Sequence, residues 1–395
     1  MIKNNKKELS ILFLASWYPS DQDPVSGIFI QRHAEAVARF SNVIILFIRY
    51  DETIKHRELM HTYENGIHTF RMNIPVDLKS FIVTRNIKNR LINNFFINAL
   101  YGYNKIVKKF GTPDIIQVNV MKTTMTDMGL FALLIRSFLG IPYVVVEHSN
   151  EYLTNIIDFF TLLKVRMILK YAKIVLPVST ILKNSLKSIQ NNNYMVVKNV
   201  VDTDFFILPK IVHEHQTKII LHVSLLDDFT KNVSGIIQAV SELRKIRNDF
   251  ELHIVGDGVD KKTLENLAMN LQGNSQYIFF SGALMSEELV KKYQEADVFI
   301  LNSIQETFGC VVIEALSCGV PVISTRCGGP EDIITPETGI LIDLNDKKQL
   351  IDAIQLILNK KCVFKPEIMH NYVVNNFGFY IIGKSLMSIY HSIVK

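Results

Sequence analysis

Glu306 and Glu314, eight positions apart, are the two side chains best placed to do chemistry as a pair. They bound the stretch Glu306-Thr307-Phe308-Gly309-Cys310-Val311-Val312-Ile313-Glu314, and a strand-like run, Asp297 to Leu301, leads into it. The stretch reads as a turn opening a helix that closes on Cys318-Gly319-Val320-Pro321, a glycine stop followed by proline. Glu306 then stands at the mouth of the helix, and Glu314 lies about a turn and a half inside, roughly 7–8 Å along the axis from Gly309. Between them the backbone N–H groups of Thr307, Phe308, Gly309 and Cys310 lack intrahelical acceptors and suit an anion. A ligand with a hydroxylated ring at each end and a diphosphate between, such as a nucleotide-sugar, matches that layout.

The scaffold that must position these groups is legible as alternating strands and helices. Ser10–Ser16, Asn42–Ile48, Ile67–Met72, Ile115–Val118, Tyr143–Val146 and Ile174–Pro177 read as strands. Helical periods over Gly27–Phe40, Leu91–Phe110, Asp127–Leu139 and Leu162–Tyr171 separate them. The pattern lapses around Asn199 to Gln216 and restarts with strands at Lys218–Val223, Glu251–Val255, Tyr277–Phe280, Val298–Leu301 and Val320–Ser324. Helices at Val233–Arg247, Lys261–Leu271 and Glu287–Glu295 alternate with these, and Tyr372–Val394 reads as one or two further helices. Continuous apolar strands between helices predict two parallel sheets, each covered on both faces. The expected boundaries are 1–200, 201–371 and a helical tail, 372–395, returning to the first domain.

In open α/β sheets ligands bind beyond the carboxyl ends of strands, and three further loops there carry informative residues. Gly27, after the long loop from Trp17, lets backbone N–H groups approach an anion. Lys231 follows the strand Lys218–Val223 and can pair with a phosphate. Gly256-Asp257-Gly258 lacks the third glycine of a dinucleotide fingerprint but makes a tight turn open to a nucleoside. Glu147-His148 closes a strand of the first domain and points at the same ligand edge, although a lone histidine is more often a structural residue. Asp202-Thr203-Asp204 has metal-binding spacing but sits at the domain junction, and His213-Glu214-His215 lies in a polar linker. No metal site is expected. The four cysteines show no metal-ligand or CxxC spacing, which fits reduced thiols.

No apolar run approaches the ~20 residues of a membrane span. The basic start followed by Ile11 to Ala15 reads as a first buried strand, its apolar stretch being too short for a signal peptide. Positive charge is concentrated at 78–110 and 159–201, two segments without an acidic residue in which lysines and arginines interleave with apolar and aromatic side chains. Basic amphipathic helices of this kind suit an anionic membrane surface. No nucleic-acid-binding motif is present. The expected location is the cytoplasm, with peripheral contact at the inner face of the cytoplasmic membrane.

Together these residues resemble glycosyltransferase family 4, of the bacterial surface-polysaccharide type. The resemblance is carried by Glu306 through Glu314 (the E-x7-E segment), Ala315-Leu316-Ser317-Cys318-Gly319-Val320-Pro321, Gly328-Gly329-Pro330-Glu331 and Thr338-Gly339. Val255-Gly256-Asp257-Gly258, Phe280-Ser281-Gly282, Ala296-Asp297-Val298 and Asn199-Val200-Val201-Asp202 extend it, and Ser26-Gly27 and Glu147-His148 carry it more weakly into the first half. It implies a GT-B fold, two Rossmann-like domains facing across a cleft, and a retaining, metal-independent hexosyltransferase without a cofactor. The donor would be a nucleotide-sugar, with uridine the first choice of base, and the acceptor a glycan or lipid-linked oligosaccharide. Glu306 would hold sugar hydroxyls and Glu314 the ribose. Phe308, Gly309 and Cys310 would offer backbone groups to the sugar and phosphates, Lys231 and Gly27 would face the diphosphate, and His148 would lie near the sugar. The family usually adds an arginine in a Gly-Arg-Leu segment; here that segment reads Val223-Ser224-Leu225, and Ser224 offers one hydrogen bond and no charge. Arg326 or a helix dipole is a candidate substitute. A catalytically inactive GT-B scaffold and a sugar-binding protein are the alternatives.

Overall fold

The alternating pattern folds as two α/β units, Met1–Val200 with Phe379–Lys395, and Val201–Gly378. The computed structural model describes residues 8–76, 86–154, 157–210, 216–273 and 275–394, with side chains at 86–93 and 286 left out. His213, Glu214 and His215, and Lys79 and Arg85 of the first basic segment, lie outside the described residues.

The first unit runs β1 (Ser10–Ala15), α1 (Ile28–Ala38), β2 (Asn42–Asp51), β3 (Glu58–Glu64), β4 (Ile67–Pro75), α2 (Asn86–Phe110), β5 (Ile115–Asn119), α3 (Met128–Leu139), β6 (Tyr143–Glu147), α4 (Phe159–Tyr171), β7 (Val175–Pro177) and α5 (Thr180–Ile189). Its sheet has the order β3-β4-β2-β1-β5-β6-β7, so the chain reverses its direction of growth between β1 and β5. One strand departs from the expected parallel sheet: β3 pairs antiparallel with β4, from Glu58 opposite Asn73 to Glu64 opposite Ile67. Its side chains are mostly solvated, so it lacks the apolar run that marks the buried strands. Helix starts follow capping chemistry. Asp127, Asp158 and Ser179 each accept a backbone N–H from the first turn of α3, α4 and α5.

The second unit continues with β8 (Lys218–Val223), α6 (Asp228–Lys231), α7 (Val233–Leu243), β9 (Phe250–Val255), α8 (Lys261–Gln272), β10 (Ile278–Phe280), α9 (Ser286–Glu295), β11 (Val298–Leu301), α10 (Cys310–Ser317), β12 (Val322–Thr325), β13 (Gly339–Ile342), α11 (Lys347–Leu358) and α12 (Pro366–Phe377). All its strand pairs are parallel, in the order β10-β9-β8-β11-β12-β13. The reversal here lies between β8 and β11, which opens a crevice beyond their carboxyl ends.

The second unit runs on to Gly378 rather than ending at 371. Its last helix is tied inward: Tyr372 donates to Ile333 O at 2.8 Å, His370 Nδ1 to Ser317 O at 2.7 Å, and Val201 N to Phe377 O at 3.0 Å. The tail then forms α13 (Phe379–Val394), which belongs to the first unit and packs on α1. Ile382, Leu386 and Met387 join that unit's core, each burial contributing about 1.5–3 kcal/mol. Tyr390 reaches the buried Gln117 of β5 with its hydroxyl.

Candidate active site

In the second unit Lys231 and Glu306 meet. Ile304 N donates to Thr230 O at 2.8 Å and Asn302 Nδ2 to Asn232 O at 3.1 Å, which clips α6 to the loop leaving β11. Glu306 is pinned by its own backbone: its N–H donates to Cys327 O, and its carbonyl accepts from Gly329 N, both at 2.9 Å. Lys231 Nζ thereby donates to Glu306 Oε1 at 2.5 Å, and Ser303 Oγ donates to the same oxygen at 2.9 Å. The side chains are 21% and 13% exposed, so the pair is sheltered yet reachable. Among the described residues no donor serves Glu306 Oε2.

Thr307, Phe308 and Gly309 lead from this pair into α10. The Phe308 ring is buried against Phe377, with centroids 6.1 Å apart, and its backbone packs closely on Gly329, where a Cβ would lie 2.3 Å from the Phe308 Cα. Cys310 is the first helical residue and is half-buried. Glu314, 8% exposed, lies inside the unit and accepts from the Tyr293 hydroxyl at 3.3 Å. The helix ends at Ser317, before Gly319, as the sequence indicates.

Ser224, Gly256 and Gly258 are brought together at the same edge. Gly256 has φ 144, and a Cβ there would lie 1.9 Å from Ser224 O; one at Gly258 would lie 2.4 Å from Leu226 O. Leu226 N donates to Asp257 O at 2.9 Å, stapling the two loops. The hydrogen-bond role of Ser224 differs from the expectation. His222, fully buried on β8, has Nδ1 2.8 Å from Ile300 O and Nε2 2.7 Å from Ser224 Oγ. Burial pushes the imidazole down to about 4, so the ring is neutral, and the carbonyl at Nδ1 requires the proton there. Nε2 is therefore an acceptor, and the Ser224 hydroxyl spends its proton on it. Toward a ligand Ser224 presents lone pairs. His222 was missed from sequence, although its spacing of two from Ser224 on a strand puts both on one face. Arg326 pairs with Asp343, Nε to Oδ1 at 3.6 Å, at the exposed edge of β12 and β13. Asp202 caps its own turn, accepting from Asp204 N and Phe205 N. Among the described residues no group of three or more His, Cys, Asp or Glu is arranged to hold a metal.

In the first unit Gly27 and His148 are linked through α1. Gly27 has φ 75, and a Cβ would lie 2.5 Å from the Trp17 carbonyl carbon, so only glycine lets α1 start this close to the strand end. Phe29, two residues on, packs against His148 in a tilted ring contact with centroids 4.4 Å apart. His148 is buried, and among the described residues neither ring nitrogen has a hydrogen-bond partner within bonding geometry; Asn199 is the polar side chain beside it. Burial, and secondarily His33, drive its pKa well below the usual histidine range, so the ring is neutral.

Sheet order and the loops at both reversals define the class: a two-unit α/β chain of the GT-B fold. Residues 204–376, within the second unit, match the family described as "Glycosyl transferases group 1". The chain is similar to N-acetyl-alpha-D-glucosaminyl L-malate synthase of Bacillus anthracis, 34% identical over 146 residues, covering 36% of this chain and 37% of that one. It is also similar to a GDP-mannose-dependent alpha-mannosyltransferase of Mycobacterium tuberculosis, 38% identical over 112 residues, 28% of each chain. The matched stretches thus span well under half of these relatives. In structure it is similar to Alr3699/HepE of Anabaena, solved in complex with UDP and glucose, at TM-score 0.70 and 16% identity, over 98% of this chain and 100% of that one.

Proposed function

We propose that the protein is a retaining glycosyltransferase of family 4 type that moves a hexose from a nucleotide-sugar to a glycan or lipid-linked oligosaccharide. The observation that carries this reading is the Lys231–Glu306 pair at the sheet reversal of the second unit, beside the start of α10. Glu306 Oε2 is available to sugar hydroxyls, while Lys231 and the N–H groups opening α10 suit the diphosphate. The bond from the sugar's anomeric carbon to the phosphate breaks, and a bond to the acceptor oxygen forms on the same face. The acceptor's proton passes to the departing phosphate oxygen. Catalysis comes from positioning and from neutralising charge on the leaving diphosphate, with no protein nucleophile and no metal. His148, neutral and with Asn199 as the polar side chain beside it, is a hydrogen-bonding group for the sugar in this proposal.

The base is uridine in this proposal; the Anabaena structure holds UDP, whereas the mycobacterial relative's name specifies GDP-mannose. Thermal shift with UDP-, GDP- and ADP-sugars tests it. A bound donor at about 100 times its dissociation constant adds about 2.7 kcal/mol of stability, and a UDP-sugar is expected to give the largest shift. No shift with any nucleotide-sugar contradicts the reading.

The acceptor is placed at the inner face of a bacterial membrane, in surface-polysaccharide synthesis. Helix α4 has two apolar faces. Val165, Ile168 and Leu169 are buried, while Phe159, Phe160, Leu163, Met167 and Tyr171 form an exposed stripe along the acid-free segment, with Phe160 77% exposed. Lys170 and Lys173 flank it. That combination suits an anionic bilayer surface. No helix among the described residues is long and apolar enough to cross a membrane.

A further inference from the structure

The sheet of the first unit reverses between β1 and β5, and the backbone leaving β5 there is strained. Val120 stands at φ 61, a left-handed conformation that β-branched residues avoid and that persists only when neighbours enforce it. Val120 N donates to Val146 O at 3.0 Å, and Ser16 Oγ donates to Val120 O at 2.7 Å. The next residue, Met121, donates its N–H to Glu147 Oε2 at 3.0 Å. The other oxygen of Glu147 accepts from His148 N at 2.9 Å and from Ser149 N at 2.8 Å. One fully buried carboxylate therefore bridges the ends of β5 and β6 and holds the main chain of His148 itself.

We infer that Glu147 is a positioning residue: its carboxylate holds the strained turn at Val120–Met121 and fixes the His148 backbone, so that the imidazole is aimed by Phe29 on one side and by this clamp on the other. The inference rests on the reading of His148 as a group that contacts the transferred sugar. Three N–H donors need acceptor oxygens on both sides of the carboxyl, which neither an amide nor an apolar side chain supplies. Packing alone would not select an ionised group here. Burial raises the Glu147 carboxyl to about 7 against the opposing pull of the Met121, Ser149 and His148 N–H groups, so an ionised group at this position is costly to keep.

The test uses the full chain with Glu147→Gln, His148→Ala and the double variant. Glu147→Gln turns an NH2 against an N–H while keeping shape. Amide exchange at the donor left facing the NH2, Met121 when the remaining oxygen serves His148 and Ser149, is expected to accelerate about tenfold or more, with the urea midpoint at pH 8 unchanged or raised. Turnover is expected to fall about tenfold or more, with donor affinity held within about threefold, and the double variant to lose no more than His148→Ala alone. Wild-type turnover in Glu147→Gln, unchanged protection of the three amides, or losses that multiply in the double variant would each overturn the inference. Absence of transfer by the wild-type protein would instead remove the proposed activity, and the amide exchange would still decide whether Glu147 clamps the loop.

Discussion

Lys231 and Glu306, 75 positions apart in sequence, form a 2.5 Å ion pair in which one carboxylate oxygen serves both the ammonium and the Ser303 hydroxyl. The charge of the lysine is thus balanced within the free protein, and Glu306 is fixed before any ligand arrives. In the proposed reaction an entering diphosphate would share the ammonium with Glu306 rather than recruit it from solvent. Such preorganisation avoids reorganisation at the moment of reaction.

The Ser224–His222 bond makes a stability prediction. Ser224→Ala leaves His222 Nε2 buried without a partner, which costs about 1–3 kcal/mol. Urea unfolding should show that loss. An unchanged midpoint would mean that the hydroxyl is not the donor to the imidazole.

Stability should also depend on pH in two opposed windows. Burial holds His33 and His222 near 4, below the usual histidine value of 6.5, so the folded chain binds fewer protons than the unfolded chain between these limits. Their contribution is complete above pH 6.5 and is lost as pH falls toward 4. Glu147 acts the other way, because its folded value near 7 exceeds 4.5; its contribution is present below pH 4.5 and is lost as pH rises through 7. Urea midpoints measured from pH 4 to 8 should therefore pass through a maximum, and Glu147→Gln should remove the decline on the neutral side. A Glu147→Gln profile that keeps the wild-type decline on the neutral side contradicts the Glu147 assignment, and one that does not rise between pH 4 and 6.5 contradicts the histidine assignment.

Vesicle sedimentation tests the exposed stripe of α4. Binding should rise with anionic lipid content, at about 1 kcal/mol per basic residue near the surface, and fall with added salt. Replacing Phe159 and Phe160 by serine should weaken it without moving the melting temperature. Binding that ignores lipid charge would count against the membrane face.

Much of this arrangement was legible in sequence because its strands are buried on both faces. β1, β5, β6 and β11 appear as short, mostly apolar runs between helix-period segments, and that alternation identifies them. β3 was not, since Glu58, His61, Thr62 and Glu64 give a solvated edge strand no apolar face to read. The two glutamates and Lys231 could be picked out as chemistry-bearing residues, but nothing local pairs a lysine after β8 with a carboxylate after β11. That pairing arises from the sheet order, which sets β8 beside β11. Ser224 was visible as a missing charge, whereas the direction of its hydrogen bond depends on the protonation of a buried neighbour. The strain at Val120 leaves no sequence trace, because a valine ending a strand looks ordinary.

Metal independence is a separate expectation. Turnover in excess EDTA should match turnover in magnesium, since Lys231 and the α10 N-terminus serve the diphosphate in this account. A fall of more than about tenfold on chelation, restored by magnesium, would place a cation at the site instead.

The most direct test is transfer of a radiolabelled hexose from the UDP-sugar that binds best, comparing the wild-type protein with Glu306→Ala and Lys231→Ala. Each substitution should lower turnover by about tenfold or more while far-ultraviolet circular dichroism stays unchanged. Wild-type transfer rates in both variants would contradict the assignment of this pair to the reaction.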